Sequence, residues 1–290
     1  MPNHLLTIGL NYTGSQNQLA GCLNDARDWH ARFSPLCASS TQLLEQQANK
    51  AGMVSAIAEV LRKVGIGDWA IITYSGHGTY IPDQSGDEAD RRDEALCPFD
   101  LNKNLLLDDE LRDLLTYRPP GSRVLLITDC CHSGTMARGL DERGSPRYVP
   151  FSDLTCCMCT EAVDRITTQA KAGRSRARSV DTGLVHLSGC QDDQVSYDAT
   201  IGGRACGAFT YYALAALKAR TTPGLTFGEW RDLVRPYLPS SRYPQSPGFS
   251  GDLAAVVPGF EAAAVAPPLP AQTTFEGVTS DGRKIRGTIG

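Results

Sequence analysis

The sequence predicts an α/β fold, in which a mostly parallel central sheet carries helices on both of its faces. Short apolar runs bounded by polar or glycine residues predict strands, and they alternate along the chain with segments of helical periodicity. Two clusters of reactive side chains, around His77 and Cys131, each follow directly after one of these predicted strands. Because ligands bind beyond the carboxyl ends of the strands in such sheets, we expect the two clusters to meet at one edge.

The individual elements follow from apolar spacing and from capping residues. Strands are predicted at 4–10, 41–44, 69–74, 123–128 and 184–188. Helices are predicted at 19–33, 49–64, 108–117, 205–219 and 226–238. Asn49 is the expected N-cap of the second helix, because its side chain can accept a hydrogen bond from a free backbone N–H.

Two stretches lack this periodicity and set the expected domain organisation. Residues 135–182 are rich in Gly, Ser, Arg and Lys, and we interpret them as a flexible processing loop. They separate a large part of one domain, residues 1–134, from a small part of the same domain, residues 183–258. Residues 259–290 are rich in Ala, Pro, Thr and Gly and are expected to form a loosely packed C-terminal tail.

Composition argues against several classes of protein. The 290 residues carry a net charge of −4, so no basic excess indicates a nucleic-acid partner. No apolar run is long enough for a membrane span, and the N-terminus lacks the features of an export signal. We therefore expect a cytoplasmic protein whose ten cysteines are not paired in disulfides. Cys156, Cys157 and Cys159 form a cluster, but no second pair of ligands accompanies it, which disfavours a zinc site.

The two strand-end clusters contain the groups that a cysteine peptidase needs. Such an enzyme requires a thiolate, an imidazole that exchanges protons with it, and N–H donors for the oxyanion. His77, between Gly76 and Gly78, can supply the imidazole, and Cys131 can supply the sulfur. The N–H groups of Gly78 and Cys131 are the candidate oxyanion donors. A single His or Cys at a strand end is usually a packing residue, but the two together predict catalysis.

Four motifs then resemble one known family. Residues 74–78 read Tyr-Ser-Gly-His-Gly and residues 129–134 read Asp-Cys-Cys-His-Ser-Gly, and both are similar to the catalytic motifs of metacaspases and their prokaryotic relatives. Residues 19–26, and residues 188–194 together with 207–210, resemble two further motifs of that family. The resemblance covers residues 4–257 and implies a caspase-like three-layer sandwich. The order also fits, because His77 lies 54 residues before Cys131, whereas papain-type enzymes have the reverse order.

The resemblance implies roles for particular residues. It makes Cys131 the nucleophile and not Cys130, a choice that the alternation of side chains in an extended segment leaves open. It also implies a specificity pocket for the side chain before the cut bond, lined by Cys22, Asp25, Ser75 and Asp129. Carboxylates bind guanidinium and ammonium groups, so we expect cleavage after Arg or Lys in protein or peptide substrates. The alternative for Asp25 and Asp129 is a local structural role.

The chemistry itself requires no cofactor, but two modes of activation are expected. Metacaspases often need calcium, and the matching acidic residues here are Asp93, Asp108 and Asp109. Arg138 stands where many relatives place a further Asp, and this cation opposes a metal site. An exposed basic loop is also a substrate for an Arg/Lys peptidase. We therefore predict a cut within 165–180, by the enzyme itself or by an upstream protease, with the following candidate positions: Lys171, Arg174, Arg176 and Arg178.

Three other interpretations remain open. A catalytically silent caspase-like scaffold or regulator would share the fold, although such proteins usually lose His77 or Cys131. A nucleotide-binding α/β protein is disfavoured because no glycine-rich phosphate-binding motif follows a strand. A different cysteine hydrolase on a similar sheet is the third. The resemblance to metacaspases and prokaryotic caspase homologues further implies a monomer that acts in a stress, cell-death or antiviral proteolytic cascade. The composition leads us to expect no nucleic-acid or membrane partners.

Overall fold

The structure, a computed structural model, describes residues 2–82, 92–131, 144–156, 158–172, 183–261, 273–278 and 284–289. The strands are β1 Asn3–Gly9, β2 Cys37–Leu44, β3 Trp69–Ser75, β4 Gly78–Pro82, β5 Arg92–Leu96, β6 Leu106–Leu107, β7 Arg123–Asp129, β8 Ser145–Pro146, β9 Leu184–Ser188, β10 Tyr197–Ile201, β11 Arg204–Gly207, β12 Gly248–Gly251, β13 Thr273–Val278 and β14 Lys284–Ile289. The helices are α1 Cys22–Phe33, α2 Lys50–Lys63, α3 Asp108–Thr116, α4 Phe151–Thr155, α5 Thr160–Ala172, α6 Ala208–Ala219 and α7 Phe227–Val234.

A six-stranded sheet in the order β12-β9-β7-β3-β1-β2 forms the centre of the fold. Its strands run parallel except for β12, which pairs antiparallel with β9 at one edge. Two three-stranded sheets, β11-β10-β8 and β4-β5-β6, are formed by segments that lie between strands of the central sheet in the sequence. β13 and β14 pair with each other as an antiparallel hairpin.

Helices cover both faces of the central sheet, because its strands are apolar on both sides. All residues of β1 and β3 are buried, which is typical of parallel strands between two helix layers. Leu6 and Ile72 belong to a core cluster with apolar residues of α2, α3 and α5. Leu5 and Ile71 point to the other face and belong to a second cluster with α1, α6 and α7. The expected three-layer α/β architecture is therefore confirmed.

The predicted elements agree with the structure where their cause is local. Each predicted strand of the central sheet is present, and the 184–188 strand has the expected bounds. The Asn49 side chain accepts a hydrogen bond from the Gly52 N–H at 3.0 Å, as expected for the N-cap of α2. In the part of the chain that the structure describes, no helix combines the length and apolar character needed to cross a membrane.

The differences concern elements that depend on distant partners. The 135–182 segment, expected as a loop, contains β8, α4 and α5. Ala162 and Ile166 of α5 pack into the core beside α2 and α3, so tertiary contact stabilises a helix that the basic composition obscured. The helix expected from residue 205 begins at Ala208, because Arg204–Gly207 pairs with β10 instead. The expected loose tail contains the β13–β14 hairpin.

Candidate active site

The carboxyl ends of β3 and β7 bring the two sequence motifs together. These strands are parallel neighbours, and Ser75 pairs in register with Asp129. Gly78, three residues after the end of β3, and Cys131, two residues after the end of β7, both donate backbone hydrogen bonds to the carbonyl oxygen of Arg147, at 3.0 and 3.2 Å. Two N–H groups that reach one oxygen atom must lie side by side. The expected meeting of the His77 and Cys131 motifs at one sheet edge is thus observed.

Two buried tyrosines hold the backbone around His77. The Tyr12 hydroxyl accepts the His77 N–H at 3.0 Å and donates to the Cys97 carbonyl at 2.5 Å. The Tyr74 hydroxyl donates to the His77 carbonyl at 2.6 Å. A Cβ atom at Gly76 would lie 2.7 Å from the Tyr74 hydroxyl and 3.0 Å from the Tyr12 hydroxyl, so this network requires a glycine there. Burial raises the pKa of both tyrosines, which keeps their hydroxyls protonated as donors.

The His77 imidazole is buried, neutral and fixed in one tautomer. Its ring stacks on the Tyr12 ring with centroids 5.0 Å apart. Nε2 lies 2.8 Å from the Asn17 carbonyl oxygen, and because a carbonyl only accepts hydrogen bonds, Nε2 carries the proton. Nδ1 is buried without a hydrogen-bond partner among the described residues and retains its lone pair. Burial lowers the pKa of His77 to about 4, so at neutral pH the ring can accept a proton.

Cys130 and Cys131 occupy different environments. Cys130 packs into the large core cluster that also contains Tyr74 and Cys97, and burial raises the pKa of its thiol. Cys131 packs beside the site in a separate small cluster with Cys190 and Val195. Only Cys131 also presents its N–H to the carbonyl that Gly78 contacts. The structure therefore separates two neighbouring cysteines that sequence alternation alone could not assign.

A pocket of three carboxylates lies next to this carbonyl and is filled by the Arg147 side chain. Arg147 Nη2 lies 2.6 Å from Asp25 Oδ2 and 2.9 Å from Asp198 Oδ1, and Nη1 lies 3.1 Å from Asp129 Oδ2. The side chains of Arg147, Asp25 and Asp129 are completely buried, and that of Asp198 is 4% exposed. Burial alone would lower the pKa of the guanidinium, but the nearby acidic groups raise it well above its usual value. Arg147 is therefore charged.

Backbone and hydroxyl donors support the carboxylates of the pocket. Asp25 accepts the Gly207 N–H at 2.9 Å, and Asp129 accepts the Thr210 N–H at 3.1 Å and hydroxyl at 2.7 Å. Asp198 accepts the N–H groups of Ala20 and Gly21 at 2.7 and 3.0 Å. Burial raises the pKa of Asp25 to about 7. The pocket is thus built to hold a cation, because each carboxylate would be costly to bury without one.

The other predicted pocket residues lie at the same place. Cys22 is completely buried, and burial raises the pKa of its thiol well above the usual value, while the Arg147 charge opposes this shift. Ser75 is buried at the end of β3, and its hydroxyl has no hydrogen-bond partner in the described ranges. A Cβ at Gly207 would lie 2.1 Å from Asp129 Oδ2 and 2.6 Å from Arg147 Nη1, so the pocket needs glycine at that position.

Sequence reasoning missed several residues of the site. Asp198 lies on β10, two residues after Ser196, whose hydroxyl donates to Asp129 Oδ1 at 2.6 Å. Alternate residues of an extended segment share a face, which is the one local pattern that links them. No local sequence pattern indicates Tyr12 or Asn17, because both act through contacts with His77, which lies 65 and 60 residues away along the chain.

The acidic residues proposed for calcium are partly engaged by an arginine. Asp108 and Asp109 contact Arg112 at 2.7 and 2.5 Å. Burial raises the pKa of Asp108, the charge of Arg112 opposes this shift, and the charges of Asp109 and Asp93 add to it. The described residues contain no group of three or more His, Cys, Asp or Glu side chains arranged to hold a metal. These three residues alone therefore do not fit a complete calcium site.

Most of the other predicted positions lie outside the residues that the structure describes. Arg174, Arg176 and Arg178 lie outside the described residues, and Lys171 is the penultimate residue of α5, where only the backbone is described. Arg138 also lies outside them. Of the cysteine cluster, Cys156 and Cys159 are exposed, and Cys157 is outside the described ranges.

A cysteine, a neutral imidazole and a pair of converging N–H groups at the edge of a mostly parallel sheet define the class of cysteine hydrolases. Residues 4–139 match the family described as metacaspase, peptidase C14 domain. Metacaspase-1 of Emericella nidulans is 30% identical over 84% of this chain and 69% of the relative. Metacaspase-1 of Mycosarcoma maydis is 29% identical over 84% of this chain and 69% of the relative.

The fold agrees with a solved structure as well. A protein from Geobacter sulfurreducens superimposes with a TM-score of 0.69 at 30% identity, over 86% of this chain and 93% of that one. The chain belongs to the metacaspase family and is a caspase-like cysteine peptidase. The family predicted from the four motifs is confirmed.

Replacing Tyr12 with Phe tests how the site holds His77. Tyr12→Phe leaves the buried His77 N–H without its acceptor. An unsatisfied buried donor costs about 1–3 kcal/mol of stability. We expect kcat for a peptide substrate to fall about tenfold while KM changes little, because the carboxylate pocket is untouched. The control is Tyr117→Phe, which alters an exposed tyrosine. A folded Tyr12→Phe protein with unchanged kcat contradicts this role.

Proposed function

We propose that this peptidase cuts peptide bonds after Arg or Lys, with Cys131 as nucleophile and His77 as acid–base partner. The observation that carries the proposal is the carboxylate pocket, which holds a guanidinium in contact with Asp25, Asp129 and Asp198. The same arginine places its carbonyl oxygen against the Gly78 and Cys131 N–H groups. A substrate arginine bound in this way would present its own carbonyl to the nucleophile.

The arrangement supports a two-step acyl transfer. His77 Nδ1 accepts the proton of the Cys131 thiol, and the sulfur attacks the substrate carbonyl carbon. The Gly78 and Cys131 N–H groups stabilise the negative charge that develops on the oxygen. His77 then gives its proton to the departing amine, and water hydrolyses the thioester. The Asn17 carbonyl keeps the ring in the required tautomer through both steps.

Two pairs of variants and substrates test this function. Peptides with Arg or Lys before the reporter group should be hydrolysed, and a matched Asp peptide should not. Cys131→Ala should lower kcat on the order of 10⁴-fold, because it removes the nucleophile. Cys130→Ala is the matched control and should keep most of the activity, since Cys130 packs in the core. Activity that survives in Cys131→Ala, or cleavage after Asp, would overturn the proposal.

The geometry of the pocket favours Arg over Lys. Asp129 contacts one end of the guanidinium, while Asp25 and Asp198 share its other terminal nitrogen. A planar guanidinium spans these positions, whereas a lysine ammonium is a compact charge that reaches fewer of them. We infer that Asp198, which the sequence did not indicate, is the residue that adds this discrimination.

An Asp198→Asn variant tests the discrimination. An amide oxygen in the place of Oδ2 can still accept the Ala20 and Gly21 N–H groups, but the charge is lost. For an Arg peptide we expect kcat/KM to fall on the order of 100-fold, because one member of a buried charged contact is removed. For a Lys peptide the fall should be clearly smaller. Asp28→Asn, which alters an exposed partner of Arg204, is the control. An equal loss for both peptides contradicts the assignment.

Calcium activation stays a prediction. To bind the ion together with Asp93, Asp108 and Asp109 would have to release Arg112, and further oxygen ligands would have to join the three carboxylates. We expect added calcium to raise peptide hydrolysis and a chelator to reverse the effect, and Asp93→Asn should abolish the response. Identical rates of peptide hydrolysis in calcium and in chelator would contradict calcium activation.

The proposal also covers proteolytic activation, oligomeric state and cellular role. Proteolytic activation at Lys171, Arg174, Arg176 or Arg178, by the enzyme or by an upstream protease, would follow from Arg/Lys specificity. A cut at Lys171 requires local unwinding, because that residue lies within α5. We further propose that the protein acts as a monomer in the cytoplasm, within a stress, cell-death or antiviral cascade.

A further inference from the structure

The segment around Arg147 crosses the candidate active site as an extended peptide. Before Arg147, β8 pairs antiparallel with β10, joining Ser145 to Asp198 and Pro146 to Tyr197. The Arg147 N–H then donates to the Ser196 carbonyl at 3.0 Å. Adding a strand to an existing sheet edge is a common way for proteins to bind an extended peptide.

At Arg147 itself, the side chain and the carbonyl occupy separate parts of the site. The guanidinium fills the carboxylate pocket, and the carbonyl oxygen accepts the two N–H groups of Gly78 and Cys131. A buried ion pair needs only the first of these contacts. The contact of the Arg147 carbonyl with the Gly78 and Cys131 N–H groups is not required for the ion pair. It places this oxygen where the oxyanion of a substrate would form.

Beyond Arg147, the chain continues along the His77 motif. The Val149 N–H donates to the Gly78 carbonyl at 3.1 Å, and Tyr148 forms a parallel bridge with Gly78. The Tyr148 ring stacks on Tyr80 with centroids 6.2 Å apart. Backbone contacts therefore bracket the Arg147–Tyr148 bond on both sides.

The same segment closes the site to other molecules. Cys131 is completely buried and His77 is only 4% exposed. Tyr148 and Tyr197 pack against the small cluster that contains Cys131. A second peptide cannot reach the sulfur or the carboxylate pocket while residues 145–149 remain in place.

We propose that residues 145–149 are a substrate held within the chain, so that the Arg147–Tyr148 bond is the first that this enzyme cuts and the intact segment blocks its own active site. This inference rests on the proposed Arg/Lys peptidase function and assigns it a particular bond. This cut differs from the one expected within 165–180. Among the basic residues of 135–182 that the structure describes, Arg147 is the one whose side chain lies in the carboxylate pocket.

The cut needs only water as a co-reactant. The Cys131 sulfur bonds to the Arg147 carbonyl carbon as its proton passes to His77. The bond from that carbon to the Tyr148 nitrogen breaks, and the nitrogen leaves as an amine carrying the proton from His77. Water then hydrolyses the thioester, which leaves Arg147 with a free carboxylate and restores the thiol.

The first test uses the unaltered chain and so does not depend on any variant folding. Purified protein is incubated under conditions in which it hydrolyses an Arg peptide, and new termini are identified by mass spectrometry and N-terminal sequencing. We expect a fragment that begins at Tyr148, produced at a rate independent of protein concentration. Arg147→Gln should abolish this fragment, whereas Arg165→Gln, which alters an exposed arginine, should leave it unchanged.

The second test measures access to the sulfur without catalysis. In a His77→Gln background the chain stays uncut, and alkylation of Cys131 by iodoacetamide is followed on its tryptic peptide. We expect adding Arg147→Gln to accelerate this alkylation at least about tenfold, because the segment no longer covers the sulfur. Adding Arg165→Gln should have no effect.

The outcomes separate this inference from the proposed function. Hydrolysis of Arg peptides without a Tyr148 terminus, together with unchanged alkylation in the Arg147→Gln variant, overturns the inference alone. Absence of any hydrolysis after Arg or Lys, including of the chain itself, overturns the proposed function, and faster alkylation in Arg147→Gln would then still support the blocked site.

Discussion

The burial of one arginine among three carboxylates is the interaction on which the rest of the site depends. Asp25, Asp129 and Asp198 carry more negative charge than Arg147 neutralises, and none of their side chains is more than 4% exposed. Such a cluster is stable only if fixed donors satisfy the remaining oxygens. The backbone of Gly21, Gly207 and Thr210 supplies these donors.

This cluster also joins the parts of the fold. Asp25 lies on α1 and Asp129 at the end of β7, whereas Asp198 lies on β10 after the 135–182 segment. The central sheet determines the spacing of the first two, and the small β8-β10-β11 sheet brings the third to them. The carboxylate pocket therefore exists only in the assembled domain. This assembly lets carboxylates from different elements contact both terminal nitrogens of one guanidinium.

In the proposed mechanism, catalysis and inhibition use the same backbone groups. The tyrosine pair fixes His77, and the register of β3 with β7 sets Gly78 beside Cys131. Because the donors that would stabilise an oxyanion already hold the Arg147 carbonyl, the intact chain gains stability from contacts that a substrate would make. A tethered segment also has a high effective concentration at the site, so a free peptide competes poorly until the tether is cut.

The sequence by itself determined what depends on neighbouring residues. Apolar runs predicted the central strands, Asn49 predicted a helix start, and the motifs predicted that His77 and Cys131 follow parallel strands that end together. It also indicated Asp25 and Asp129 as pocket residues. Tertiary structure alone decided which of the eight Arg and Lys residues in 135–182 fills that pocket, and that Asp198 and the Asn17 carbonyl complete the site. The physical reason is range: Arg147 meets Asp25 across 122 residues, and local periodicity carries no information about partners so distant.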